Sequence, residues 1–328
     1  MGKVICFGEA LIDFLQFDTQ LSGPLSLNNY CQYPGGAPAN ASVAISKLGG
    51  QALFLGQVGD DAFGCFLEEA LRTYHVDTRY LLKHQTAKTA LAFVMLDEDG
   101  ERSFSFYRDQ SADVLFTPAQ IPQHIFKAED FVHFCSNTLT NVDITQTTQA
   151  VIDLAKKENM VVSFDVNLRH NLWPMGQADI ALVNKFVNQA NVLKFSKNEL
   201  TYLSGEDETN YIDTLLANEC QLLLVTNDGD AIEYFSQFHR GQVLPPKVNV
   251  VDTTAGGDAF SGGLLFQLSQ SADWLDILQN NKRLKALVQF SVACGAHTVT
   301  KAGAFPALPE YADVNDLLLI KKELSNAS

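Results

Sequence analysis

The stretch VDTTAGGDAF, Val251 to Phe260, sets one aspartate, Asp258, behind a pair of glycines and ahead of an apolar run. Small residues let a ligand approach the backbone closely. A helix that begins on them adds unpaired N–H groups and the positive end of its dipole, so the stretch suits an anion. A carboxylate there has two roles open to it. It can cap the helix, the simplest role for the stretch taken alone, or it can accept the proton of a hydroxyl that attacks a bound phosphate. The pattern is neither G-x-x-x-x-G-K-[ST] nor G-x-G-x-x-G. Other polar or glycine-rich segments accompany it. YPGGAPANASVA runs from Gly35 and Gly36 into a helical pattern with Asn40 near its start. GQVGDDAFG closes an apolar run with a Gly-Asp-Asp turn, and SFDVNLRHNLW ends another with Asp165, Asn167 and Arg169.

These segments need a scaffold that brings them to one edge. KVICFG, QALFLGQVG, DFVHFC, MVVSFDV, NVLKFS and QLLLVT are near-continuous apolar runs, as expected of strands buried on both faces. Helical patterns separate several of them. Ala41, Ala44, Ile45 and Leu48 share one helical face ahead of Gly49-Gly50, a C-cap signal, and Phe63, Phe66, Leu67, Ala70, Leu71 and Tyr74 share another. The alternation predicts a doubly wound, mostly parallel α/β sheet with helices on both faces. Ligands bind outside the carboxyl ends of strands in such a sheet. Two segments break the alternation. Asp13 to Pro34 has little helical period, and TALAFVML-DEDG-ERSFSFY reads as a hairpin whose Phe104 and Phe106 alternate with serines. Together they predict a small β-sheet projecting from the core; the alternative is an extension of the main sheet.

Composition narrows the function classes. The chain has 328 residues, 46% of them hydrophobic and 19% charged, an ordinary globular balance. With 23 basic and 38 acidic side chains the net charge is −15, so nucleic acid and anionic membranes are poor partners. Cys6, Cys31, Cys65, Cys135, Cys220 and Cys294 are scattered without a CxxC pair, as expected of reduced thiols in a cytoplasmic protein. MGKVICFGEALIDF reads as a first strand, not a signal peptide, and no run has the roughly 20 apolar residues that cross a bilayer. His133 and His170 have no partner at metal spacing, and GxSxG is absent despite Ser261-Gly262-Gly263.

With these residues in view, the chain resembles the ribokinase-like (PfkB) sugar kinases. Two motifs carry the resemblance, Gly35 to Gly64 (GGAPANASVAISKLGGQALFLGQVGDDAFG) and Asp252 to Leu265 (DTTAGGDAFSGGLL), and it extends from FGEALIDF to KAGAFPALP. GEALIDF, GGAPAN and TALAFVMLDEDGERSFSFYR look most like bacterial fructokinases. The resemblance implies ATP-dependent phosphorylation of a sugar hydroxyl with Mg²⁺, and a Rossmann-like core at 1–12, 35–87 and 108–328 with a β lid at 13–34 and 88–107. It makes Asp258 the base and the amides of Ala255, Gly256 and Gly257 the anion hole. It makes Asp13, Gly35, Gly36 and Asn40 sugar contacts, joined by Phe104 from the lid and Arg169. Asn167, Lys194, Thr226 and Gly229 fall on the nucleotide side. Glu199 is the glutamate of N-x-x-E that organises the metal indirectly, and Asp252 and Thr254 line a monovalent-cation segment suited to K⁺. A homodimer is also implied. The alternative substrates are 2-keto-3-deoxygluconate or a nucleoside, and the alternative class is a sugar or nucleotide sensor.

Phosphoryl transfer asks mainly for positioning and electrostatics, which these groups supply: a carboxylate for the proton, amides for the transferring charge, and a guanidinium from Arg169. The chain departs from the family pattern at three points. Ala255-Gly256-Gly257 stands where G-A-G is usual, and an alanine at 255 is strained if that position needs φ > 0. Ser196 replaces the asparagine of N-x-x-E. After Thr226 the usual glycines are Asp228 and Ala231, with Gly229 between them.

Overall fold

The computed structural model describes residues 2–96, 102–271 and 273–326. The DEDG turn expected after the first hairpin arm lies outside them. In chain order the strands are β1 (Val4–Phe7), β2 (Leu11–Ser22), β3 (Leu25–Gly35), β4 (Ala52–Gly59), β5 (Asp77–His84), β6 (Leu91–Leu96), β7 (Arg102–Tyr107), β8 (Phe131–Cys135), β9 (Val161–Asp165), β10 (Val192–Ser196), β11 (Leu222–Thr226), β12 (Ile232–Ser236) and β13 (Arg240–Val243).

The main sheet has nine strands in the order β13-β12-β11-β10-β9-β8-β1-β4-β5. From β11 to β5 its neighbours are parallel. The hairpin of β12 and β13 adds an antiparallel edge. The helical alternation did not predict that edge, because its strands are short and follow a tight turn rather than a helix. Successive residues of β1 go to opposite cores: Val4 and Cys6 pack with the helices Ala37–Lys47, Gly256–Ser269 and Asn281–Thr298, Ile5 and Phe7 with Val142–Lys157 and Ile180–Val187. That two-sided burial is why the strands read as unbroken apolar runs.

β1 has β4 on one side and β8 on the other, so the chain's connections diverge between β1 and β8. A crevice at the carboxyl ends of strands forms at such a point. The second sheet, β3-β2-β6-β7, is separate and four-stranded, so these strands do not extend the main sheet. β2 and β3 form a long hairpin, β2 runs parallel to β6, and β6 pairs with β7 from Leu91–Tyr107 to Leu96–Arg102. One apolar cluster of this sheet, Leu11, Ala90 and Ala92, is joined by Phe106.

Glycines bring the site's two helices together. A Cβ on Gly262 would lie 2.5 Å from the Ala44 methyl and 3.0 Å from the Ala41 carbonyl oxygen, and one on Gly263 would lie 2.6 Å from Cys294 Sγ. Ser-Gly-Gly at 261–263 is therefore a packing surface that lets Gly256–Ser269 sit close against its neighbours.

Candidate active site

Helix Gly256–Ser269 starts on Ala255, whose backbone is left-handed at φ 59°, ψ 5°, and no side chain caps it. Other helices close their first turns with Asp61, Asn141, Asp179, Ser196, Asp207 or Asn280. The capping role expected of Asp258 from its own stretch is therefore corrected: Ala255 is the cap residue, and Asp258 sits in the first turn with its carboxylate directed elsewhere. Asn40 Nδ2 donates to Asp258 Oδ2 at 2.7 Å, across 218 residues of sequence. Asn40 stands in the first turn of Ala37–Lys47, after Gly36 at φ 104°. A Cβ at Gly36 would press into the Glu9 backbone, and one at Gly35 would collide with the Asp13 carboxylate. Gly35 is thus required for the loop to approach Asp13, and Gly36 for it to lie on the Glu9–Ala10 backbone.

Asp13 is half-buried on β2, opposite Tyr33 on β3. Burial, and then the charges of Asp258, Asp252 and Glu9, push its carboxyl up to about 7, with Arg169 opposing. Burial and Asp165 push Asp258 up to about 6, opposed by the Asn40 hydrogen bond, Lys194 and Arg169. Asp165 accepts two bonds from Lys194 Nζ, each 2.9 Å, and a third from Ser261 Oγ at 2.9 Å, all buried. A Cβ at Gly257 would lie 3.2 Å from Lys194 Nζ, so the ammonium sits directly under the helix start. Burial pulls the Lys194 pKa down, but Asp165 and Glu199 hold it above its ordinary value.

Residues 1–310 match the profile of the pfkB family carbohydrate kinase. The chain belongs to that family. It is therefore a phosphotransferase with an alcohol group as acceptor. Probable fructokinase-7 of Arabidopsis thaliana is 39% identical over 322 residues, covering 96% of this chain and 92% of that protein. A fructokinase from Xylella fastidiosa with bound ATP superposes with a TM-score of 0.90 at 38% identity, covering 98% and 99% of the two chains. A fructokinase from Vibrio cholerae O395, holding fructose, ADP and a calcium ion, superposes with a TM-score of 0.86 at 35% identity over 97% and 99%.

Other residues expected at a PfkB site fall into place unevenly. Arg169 is exposed, with Nη1 donating to the Leu168 carbonyl at 3.3 Å, and its charge reaches both Asp13 and Asp258. Asn167 takes a left-handed φ of 38°, and its carbonyl accepts from Ser136 Oγ at 3.2 Å. Glu199 braces this loop: Oε1 accepts from Leu168 N and Oε2 from Ser196 N, both at 2.7 Å. Ser196 completes a capping box with Glu199, which explains a serine at that position of N-x-x-E. Asp252 accepts from Thr254 N at 2.7 Å and Gly303 N at 2.9 Å. Thr226 ends β11 and Gly229 lies in the turn that follows; Thr226 Oγ1 donates to the Phe195 carbonyl at 3.2 Å. Asp228, not Gly229, takes the left-handed φ of that turn. Phe104 stacks on Phe106 with centroids 6.1 Å apart, and its carbonyl accepts from Asn171 Nδ2 at 3.0 Å, tying β7 to the loop that carries Arg169.

Several site residues were missed from sequence. Glu9 is buried and accepts from Ala37 N at 3.1 Å and Asn137 Nδ2 at 2.8 Å. Arg108 and Asp113 form a buried ion pair at 2.6 Å, and Arg108 Nη1 also donates to the Asn137 carbonyl. The available signal was a polar run, SNTLT, directly behind the fully buried strand FVHFC. Among the described residues no cluster of His, Cys, Asp and Glu is set to hold a metal ion, and no helix is long and apolar enough to cross a membrane.

Proposed function

We propose that this kinase transfers the γ-phosphoryl group of ATP to D-fructose, giving fructose 6-phosphate and ADP. The carrying observation is the pairing of Asn40 with Asp258 in the first turn of an uncapped helix. Asp258 takes the proton from the sugar's C6 hydroxyl as that oxygen attacks phosphorus, and ADP leaves. The amides at Ala255, Gly256 and Gly257 face the charge on the transferring group; no side chain competes for them, and the Gly256 N–H gives up a long 3.3 Å bond to the Thr253 carbonyl. Lys194 beneath them and Arg169 beside them add positive charge. Asp13, Gly35, Gly36 and Asn40 hold the sugar; Asn167, Thr226 and Gly229 face the nucleotide side.

A neutral sugar suits the pocket. Glu9, Asp13, Asp252 and Asp258 make it acidic, and the buried Arg108 is already neutralised by Asp113. A sugar acid such as 2-keto-3-deoxygluconate would bring its carboxylate into that field. Mg²⁺ arriving with ATP supplies charge neutralisation on the phosphates, and few protein ligands suit it; Glu199 serves it through the loop it braces. A monovalent cation such as K⁺ belongs at the Asp252–Thr254 segment. The sheet of β2, β3, β6 and β7 acts as a lid that excludes water, with Phe104 and the Asn171 bond on its inner edge. The enzyme works in the cytoplasm, and pairing of lids into a homodimer is part of the same reading.

The test is an ADP-release screen over hexoses, 2-keto-3-deoxygluconate and nucleosides. Fructose should give the highest kcat/KM. A nucleoside or sugar acid in that place would overturn the substrate, and binding without ADP release would make the chain a sensor.

A further inference from the structure

Asn137 repeats, beside Glu9, the arrangement that Asn40 makes beside Asp258. Its Nδ2 donates to Glu9 Oε1 at 2.8 Å. A carboxylate can only accept, so this bond decides which way the amide faces. Glu9 is itself held, accepting from the amide of Ala37 at the start of the helix behind Gly35 and Gly36. The Asn137 backbone is anchored too, its carbonyl accepting from Arg108 Nη1 at 2.8 Å and Thr140 Oγ1 at 3.1 Å. What remains is Asn137 Oδ1. The residue is only 6% exposed, and this oxygen has no hydrogen-bond partner among the described residues. Asn40 Oδ1 is in the same condition. Leaving a buried acceptor unmade costs about 1–3 kcal/mol, which a bound donor would recover. β8 pairs with β1, so Asn137 stands just past the carboxyl end of β8, at the crevice where the connections diverge.

We propose that Asn137 is a sugar-contacting residue whose Oδ1 accepts a hydrogen bond from a hydroxyl other than the one phosphorylated, with Glu9 as the brace that aims it. The inference rests on the sugar-kinase reading above. It makes the enzyme demand an O–H donor at one further sugar position, because an analogue lacking that group leaves the buried oxygen unpaired.

The experiment uses the full chain, fructose, and monodeoxy fructose analogues that each lack one non-reacting hydroxyl. Wild type comes first. If it transfers phosphate to no sugar, the functional reading fails on its own, whatever Asn137 does. Given transfer, Asn137→Ala should raise KM for fructose by about tenfold with KM for ATP unchanged, the loss of roughly one hydrogen bond. One analogue should already be poor with wild type and lose nothing further in the variant, while the others lose the full factor. An unchanged KM for fructose overturns the proposal. So does an equal loss on fructose and every analogue, which is what a merely structural Asn137 would give. Asn137→Ser is run in parallel. Should neither variant fold, Asn137→Asp replaces them under the same comparison: a loss spared on one analogue upholds the contact, and an equal loss on all sugars, or none, refutes it.

Discussion

Asn40 Nδ2 and Asp258 Oδ2 meet at 2.7 Å although their residues lie 218 positions apart. The bond stabilises the charged form of a carboxylate that burial pushes up to about 6. It therefore favours an ionised Asp258 near neutral pH, as the proposed base role requires. The acid limb of kcat/KM should fall near pH 6 and turnover should drop below it, since protonated Asp258 cannot accept a proton. Asn40→Ala should move that limb to higher pH, read from a pH profile; a limb that stays in place would detach Asn40 from the titration. Asp258→Asn should lower kcat by roughly 10²–10⁴-fold.

Asp13 should trade stability for binding. Its folded pKa is about 7, above the ordinary carboxyl value, so the folded state binds a proton the unfolded chain has lost. That contribution is fully present below about pH 4 and disappears as pH rises through about 7. Asp13→Asn should thus melt higher than wild type at pH 8, by about a few degrees, with the gap closing at low pH, while KM for sugar rises. Calorimetry across pH tests the sign.

Ala255 holds a left-handed backbone at φ 59°. That conformation costs a non-glycine residue about 1–2 kcal/mol, and glycine returns about 0.5–1 through the unfolded chain. Ala255→Gly should stabilise the apo protein by about 0.5–1 kcal/mol in denaturant titration, and destabilisation would argue against the strain.

Lys194 neutralises Asp165 in a buried pair at 2.9 Å. Lys194→Ala leaves that carboxylate uncompensated and should cost about 3–5 kcal/mol. Lys194→Ala with Asp165→Leu should recover part of the loss, as a double-mutant cycle would show.

The Asn171 bond to the Phe104 carbonyl joins the small sheet, the proposed lid, to the loop that carries Arg169. Asn171→Ala should raise KM for sugar by a few-fold, about the value of one hydrogen bond, and increase ATP hydrolysis without sugar as water enters. An unchanged ratio of hydrolysis to transfer would show that the bond does not hold the lid.

Much of this was already written in the chain. Apolar runs buried on both faces read as parallel strands, the phase of Phe104 and Phe106 read as a half-buried hairpin, and the small-residue runs at Gly35–Gly36 and Gly256–Gly257 read as steps into helices. Periodicity and glycine placement are local, and local rules report them. Tertiary structure alone decided what the Asp258 carboxylate meets. Its own stretch favours a cap, and only the close packing of Gly262 on Ala44 brings Asn40 to its carboxylate. The same holds for Glu9 on Asn137, Arg108 on Asp113 and Glu199 on the loop that carries Arg169. Each is a short bond, several of them between residues far apart in sequence, and most are shielded from water. Whether a buried polar atom is paired, and what charge it keeps, depends on neighbours that the fold supplies and that residue spacing does not encode.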